Sequence, residues 1–132
     1  MTSKKEIKKQ DDIDFEIQFI EAVLQKNPNF VEALTALGDL YTKRGLYEKG
    51  LQIDERLSRL KPNDPIILYN LACSYSLVND VDRSLETIKR AIGYGYDDIE
   101  HLERDSDLEN LRGDNRFKEF LSKIRNETTK SK

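Results

Sequence analysis

The stretch Asn27-Pro28-Asn29-Phe30-Val31-Glu32-Ala33-Leu34-Thr35-Ala36-Leu37-Gly38-Asp39-Leu40-Tyr41 returns 34 residues later as Lys61-Pro62-Asn63-Asp64-Pro65-Ile66-Ile67-Leu68-Tyr69-Asn70-Leu71-Ala72-Cys73-Ser74-Tyr75. Leu34, Leu37 and Tyr41 recur as Leu68, Leu71 and Tyr75, and the small Gly38 recurs as Ala72. Further along, Gly50 becomes Ser84, Leu51 stays leucine at 85, and Leu57 becomes Ala91. Self-similarity at one period of this length marks a repeat architecture, in which each unit buries its apolar side by stacking on the next. Such an array offers a surface for binding rather than a catalytic pocket.

Helical periodicity runs outward from this core. Ile13, Ile17, Ile20, Val23 and Leu24 share one face of a helix over 11–27, widened by Phe15 and Phe19 and halted before Pro28. Val31, Leu34, Leu37, Leu40 and Tyr41 line a second helix, which Arg44-Gly45 ends. A third helix from about Tyr47 turns Leu51, Ile53, Leu57 and Leu60 inward. The second copy repeats the plan: Asp64 or Asn63 as cap, Pro65 in the first turn, then a partner helix through Val81, Leu85, Ile88, Ala91 and Ile92. A third copy starts with Leu102 in the register of Leu68, then diverges at Asp105. Phe117, Phe120, Leu121 and Ile124 form one last amphipathic helix, an atypical end unit of the kind a stack needs. The reading gives a single domain over 11–126: an N-terminal helix (11–27), two units (31–64 and 65–98), and a partial unit with a capping helix (99–126). The polar segments 1–10 and 127–132 read as disordered tails.

The two copies resemble tetratricopeptide repeats, through Leu34, Leu37, Gly38, Tyr41, Gly45, Gly50, Leu57 and Pro62 in one and Leu68, Leu71, Ala72, Tyr75, Ser84 and Ala91 in the other. Tyr96 replaces the closing proline of the second copy. The run from Asp107 to Phe117 is similar to a segment that terminates such arrays in many bacterial members. The resemblance implies an all-α, right-handed solenoid of antiparallel helix pairs, with a truncated N-terminal helix and a C-terminal cap. It also implies a noncatalytic adaptor or assembly factor that holds a peptide or partner segment, basic or hydrophobic, in a concave groove. By position, the groove residues are Glu32, Thr35 and Asp39, then Ile66, Tyr69, Asn70 and Cys73, with Arg104 at the far end. Glu100 and Glu103 extend an acidic wall begun by Glu32 and Asp39, and Ile66, Tyr69 and Cys73 form an apolar stripe that the capping segment could cover. Members that grip a C-terminal carboxylate use cations and amides where Thr35, Asp39 and Glu100 stand here, so that mode is disfavoured. Homodimerisation, with the groove self-occupied, is the alternative.

Charge agrees with protein rather than nucleic acid as partner. Residues 11–115 hold twelve basic and twenty-two acidic side chains, a net of −10, and the flanks carry +7. Phosphate recognition needs a basic face, which this body lacks. A lone cysteine excludes an internal disulfide and permits a reducing, cytoplasmic setting. No apolar run approaches the length of a membrane span. Cys73 with His101, the only histidine, could be imagined as nucleophile and base, but a thiol filling a small core site is the commoner arrangement. One Cys and one His cannot complete a tetrahedral metal site. Gly93-Tyr94-Gly95-Tyr96 lacks the Lys-Ser/Thr of a phosphate loop and reads as a helix-ending turn. No cofactor or metal is implied.

Overall fold

The computed structural model of the chain describes residues 2–130, with side chains through Glu127. All regular structure among the described residues is helical: α1 Lys4–Lys26, α2 Val31–Lys43, α3 Tyr47–Leu60, α4 Pro65–Leu77, α5 Val81–Gly93, α6 Ile99–Arg104, a 3-10 turn Ser106–Leu108, α7 Glu109–Arg112 and α8 Asn115–Lys130. Helices α2 and α3 pack as one pair and α4 and α5 as the next, with α1 against α2 and α3 against α4.

Small residues set the closeness of each pair. A Cβ on Gly50 would lie 3.1 Å from Thr42 Oγ1 and 3.6 Å from the Gly38 carbonyl oxygen, so the helices of the first pair meet backbone to backbone. In the second pair the buried Ser84 hydroxyl donates to the Ala72 carbonyl at 2.7 Å at the corresponding crossing. The copies also share a tether between pairs. Tyr41 donates its hydroxyl to Glu21 at 3.1 Å, and Tyr75 donates to Glu55 at 3.4 Å, each reaching back 20 residues. Both leading helices end in the same way. The Leu46 N–H donates to the Tyr41 carbonyl at 2.8 Å, and the Asp80 N–H to the Tyr75 carbonyl at 2.8 Å. The turn residues Gly45 (φ 82°) and Asn79 (φ 63°) adopt the left-handed conformation that these two residue types tolerate best.

The core consists of two clusters that meet at α4. One holds Ile17, Leu24, Leu34, Leu37, Leu40, Tyr41, Leu57 and Ile67. The other holds Leu68, Ala72, Leu85, Ile88 and Ala91 with the divergent C-terminal part, where Leu102, Leu108, Leu111 and Phe117 are fully buried. Polar bonds fix that part in place. The Leu111 N–H donates to the Ser76 hydroxyl at 3.2 Å, the Asn110 side-chain amide donates to the Ser76 carbonyl at 2.8 Å, and the Arg112 guanidinium donates to the carbonyls of Leu102 and Asp105 at 3.1 and 2.5 Å.

Three expectations need correction. Within 1–10, read as disordered, α1 already starts at Lys4, where Ser3 caps it by accepting from the Glu6 N–H at 3.1 Å, and this extension stays exposed. Likewise α8 continues from 127 through Lys130, whereas residues 131 and 132 lie outside the described residues. In α3, Leu51 and Ile53 are only half-buried and Leu60 is exposed, while Gly50, Asp54 and Leu57 face inward.

Two glycine-to-alanine changes should act in opposite directions, since an added Cβ meets no heavy atom within 4 Å at either site. Gly45→Ala forces a side chain into the left-handed region and should cost about 1 kcal/mol. Gly93→Ala, within α5, should stabilise by roughly 0.5–1 kcal/mol through the unfolded chain and helix propensity. Urea unfolding followed by circular dichroism measures both.

Candidate functional site

The leading helices α2 and α4, with the segment that follows α5, enclose a cleft of about 450 Å³. Because α2 and α4 start their units in the same way, the sides they do not use for packing fall next to each other. Helix α2 supplies Glu32, Thr35, Ala36 and Asp39, and α4 supplies Tyr69, Asn70, Cys73 and Leu77. His101, Asp105 and Asp107 close the far side, and Asp54 of α3 reaches the floor from behind.

Of the residues assigned by position, Glu32, Thr35, Asp39, Tyr69, Asn70 and Cys73 line this one cleft. Ile66 is on the same helix but 57% exposed, and opens on a separate hollow with Pro65, Tyr96 and Asp98. Arg104 does not reach the cleft: it pairs with Glu100 at 2.9 Å in solvent. Glu103 is held by Arg125, away from the cleft. The acidic lining therefore comes from Glu32, Asp39, Asp54, Asp105 and Asp107 rather than from Glu100 and Glu103. Helical angle alone shows which side of α6 is free, but not that α6 stops after six residues and hands the wall to the 3-10 turn.

Asp105 is the polar centre of that wall. The Tyr69 hydroxyl donates to its Oδ2 at 2.6 Å, the Cys73 thiol lies 3.8 Å from the same oxygen, and His101 Nε2 is 3.3 Å away. Its other oxygen, Oδ1, accepts from the Asp107 N–H at 3.0 Å, so the carboxylate also starts the 3-10 turn. Tyr69 stacks flat on Tyr96, with ring centroids 4.3 Å apart and planes at 4°, and tilts against His101 at 5.8 Å. The apolar stripe is thus partly covered by the chain itself: Tyr69 and Cys73 are buried and present only an edge to the cleft. Burial pushes the Tyr69 phenol far up, with the Cys73 sulfur and the Asp105 carboxylate adding to it. Burial, followed by the charges of Asp105 and Asp107, pushes the Cys73 thiol up as well. Cys73 and His101 do converge, but on an anion, which holds the thiol protonated and so lowers its nucleophilicity.

Asp54 was not apparent as a site residue. It is buried, its Oδ2 accepts the Ser74 hydroxyl at 2.5 Å, and its Oδ1 lies 3.0 Å from where a Cβ on Gly38 would sit. Burial raises its pKa to about 6, against the Ser74 hydrogen bond and with help from Asp39. The sequence held a signal: 34 residues on, the same register position is Ile88, a fully buried core residue. Among the described residues no group of three or more His, Cys, Asp or Glu side chains is arranged to hold a metal, and no helix is long and apolar enough to cross a membrane.

Two outcomes follow. A carboxyl whose folded pKa lies above its unfolded value binds protons more tightly when folded, so its contribution to stability is present below about pH 4 and lost as pH rises to about 6. The loss is on the order of 3 kcal/mol. Asp54→Asn should therefore be more stable than the native chain at pH 7 and not at pH 4, as measured by urea unfolding across that range. Native Cys73 should react with iodoacetamide at pH 7.5 at least about tenfold more slowly than the urea-unfolded chain; equal rates would contradict the buried, anion-facing thiol.

No protein-family profile matches the chain. Over 87 residues, 64% of its length, the chain is 34% identical to a chloroplastic protein of Arabidopsis thaliana, and it spans 26% of that protein.

Proposed function

We propose that this chain is a noncatalytic protein-binding module of the tetratricopeptide-repeat type, which holds a peptide or partner segment in the cleft between α2 and α4 as an adaptor or assembly factor. The observation that carries this reading is the open cleft itself. Two leading helices with matching starts, matching ends and matching Tyr–Glu tethers stand side by side, and the C-terminal segment borders the space between them without filling it. Concave surfaces of stacked helix pairs serve this purpose. The protonated thiol and the small area favour binding over chemistry, with affinity in the micromolar range typical of weak interfaces. The single buried thiol fits a reducing compartment, the cytoplasm or, as the relative's name indicates for that protein, a chloroplast.

Selection of a random peptide library on the immobilised protein tests this. Selected peptides should bind the native chain and lose about tenfold or more in affinity on Thr35→Tyr, which places a ring over the cleft from an exposed position. Lys118→Tyr, on exposed α8, should change nothing. Peptides indifferent to Thr35→Tyr, or a library that yields no binder, would refute the reading.

A further inference from the structure

We infer that the segment held in this cleft is cationic, and that an arginine or lysine side chain enters between Asp39 of α2 and Asp107 of the 3-10 turn. The inference deepens the docking reading and rests on it. Five carboxyl groups from α2, α3 and the post-α5 segment line one concavity, and no Lys or Arg lines it among the described residues. One lysine nearby leaves most of that charge in place. Lys43 pairs with Asp39 at 3.0 Å on the exposed side of α2, while Glu32, Asp54 and Asp107 have no Lys or Arg partner among the described residues.

Within that group Asp54 places an acceptor on the floor of the cleft. It is more than nine-tenths buried, yet among the described residues it accepts one hydrogen bond, on Oδ2. Its Oδ1 faces the gap left by the missing side chain of Gly38, a residue that lines the cleft. No side-chain oxygen or nitrogen among the described residues is both buried and unpaired, so Oδ1 keeps an edge open to the cleft, where a donor can reach it. Burial raises the pKa of both Asp54 and Asp107, and the nearby Asp39 carboxylate adds to each, with Asp105 also adding at Asp107.

The shape selects a long cationic side chain over a small ion. Ala36, Cys73 and Leu77 supply apolar surface beside the carboxylates, which suits a methylene stem with a charged head. A guanidinium, with five donors, could serve Asp39, Asp54 and Asp107 together.

The test is a titration of the full-length, ¹⁵N-labelled protein at pH 7.5 and low salt with acetyl-arginine methylamide, and with its neutral isostere acetyl-citrulline methylamide. Saturable shifts of the Gly38, Asn70 and Leu77 amides are expected with arginine, and at least about fivefold weaker binding with citrulline. The isosteric Asp39→Asn/Asp107→Asn variant should weaken arginine binding by about tenfold, as expected for two charge pairs of ordinary strength. Equal response to the two amides, no saturable shift, or an unaltered variant would overturn the inference. The two readings fail separately. Selected peptides that depend on Thr35 but show no enrichment in Arg or Lys leave docking intact and remove the cationic partner. Arginine binding in the cleft without any selectable peptide does the reverse.

Discussion

The close crossing of α2 with α3, repeated by α4 with α5, is the constraint on which the arrangement depends. At Gly38 and Gly50 there is no side chain between the helices, and at Ala72 and Ser84 a small hydroxyl bonds the facing backbone. With the spacing of each pair fixed in this way, the next pair must settle on the previous one through the same residues. The buried Leu34 and Leu68 and the tethering Tyr41 and Tyr75 therefore occupy corresponding places. Each fully buried aliphatic side chain contributes roughly 1.5–3 kcal/mol. That burial makes the packing worthwhile, but the small residues decide where it happens. The cleft is a by-product of the same geometry: two rods aligned by their inner faces have aligned outer faces.

At the far end the arrangement changes from apolar to polar fastening. Asp105 takes the register position where the earlier units carry Leu37 and Leu71, and it gathers Tyr69, Cys73 and His101 around one oxygen. A half-buried carboxylate is tolerated because donors surround it and because it also starts the turn leading to Leu108 and Leu111. The substitution ends the periodicity and builds the cleft's third wall in one step. It also fixes the character of Cys73, since a thiol facing an anion keeps its proton.

Much of this was legible in the chain. The period of 34 placed both pairs, the apolar positions of α2 and α4, and the turn at Gly45. Leu102 kept its register and is fully buried. Six of the eight residues assigned by position share one cleft, because helical angle determines which side of α2 and α4 is left free. What escaped depended on distance in sequence. That the C-terminal segment could cover Tyr69 was open in the sequence, but not that Tyr96 and Asp105, 27 and 36 residues away, would do it. Arg104 sits on a free helical face in solvent, and Ile66 opens on a separate hollow beside Tyr96. Asp54 is a charged residue at a core register position, marked in the sequence only by the matching Ile88. The early start of α1 hinged on one local hydrogen bond at Ser3.

Helix α4 belongs to both apolar clusters, through Ile67 on one side and Leu68, Tyr69, Ala72 and Cys73 on the other, and eight of its residues are buried. The molecule thus has a keel rather than a single centre. Fluctuations that loosen α1 and α2 can run their course while the keel and the C-terminal half stay shut, and amide exchange should slow progressively towards it from both ends. The bank of the cleft formed by α4 is thus moored to two apolar clusters and the bank formed by α2 to one, so widening the gap for a bulkier visitor breaks fewer ties on the α2 side.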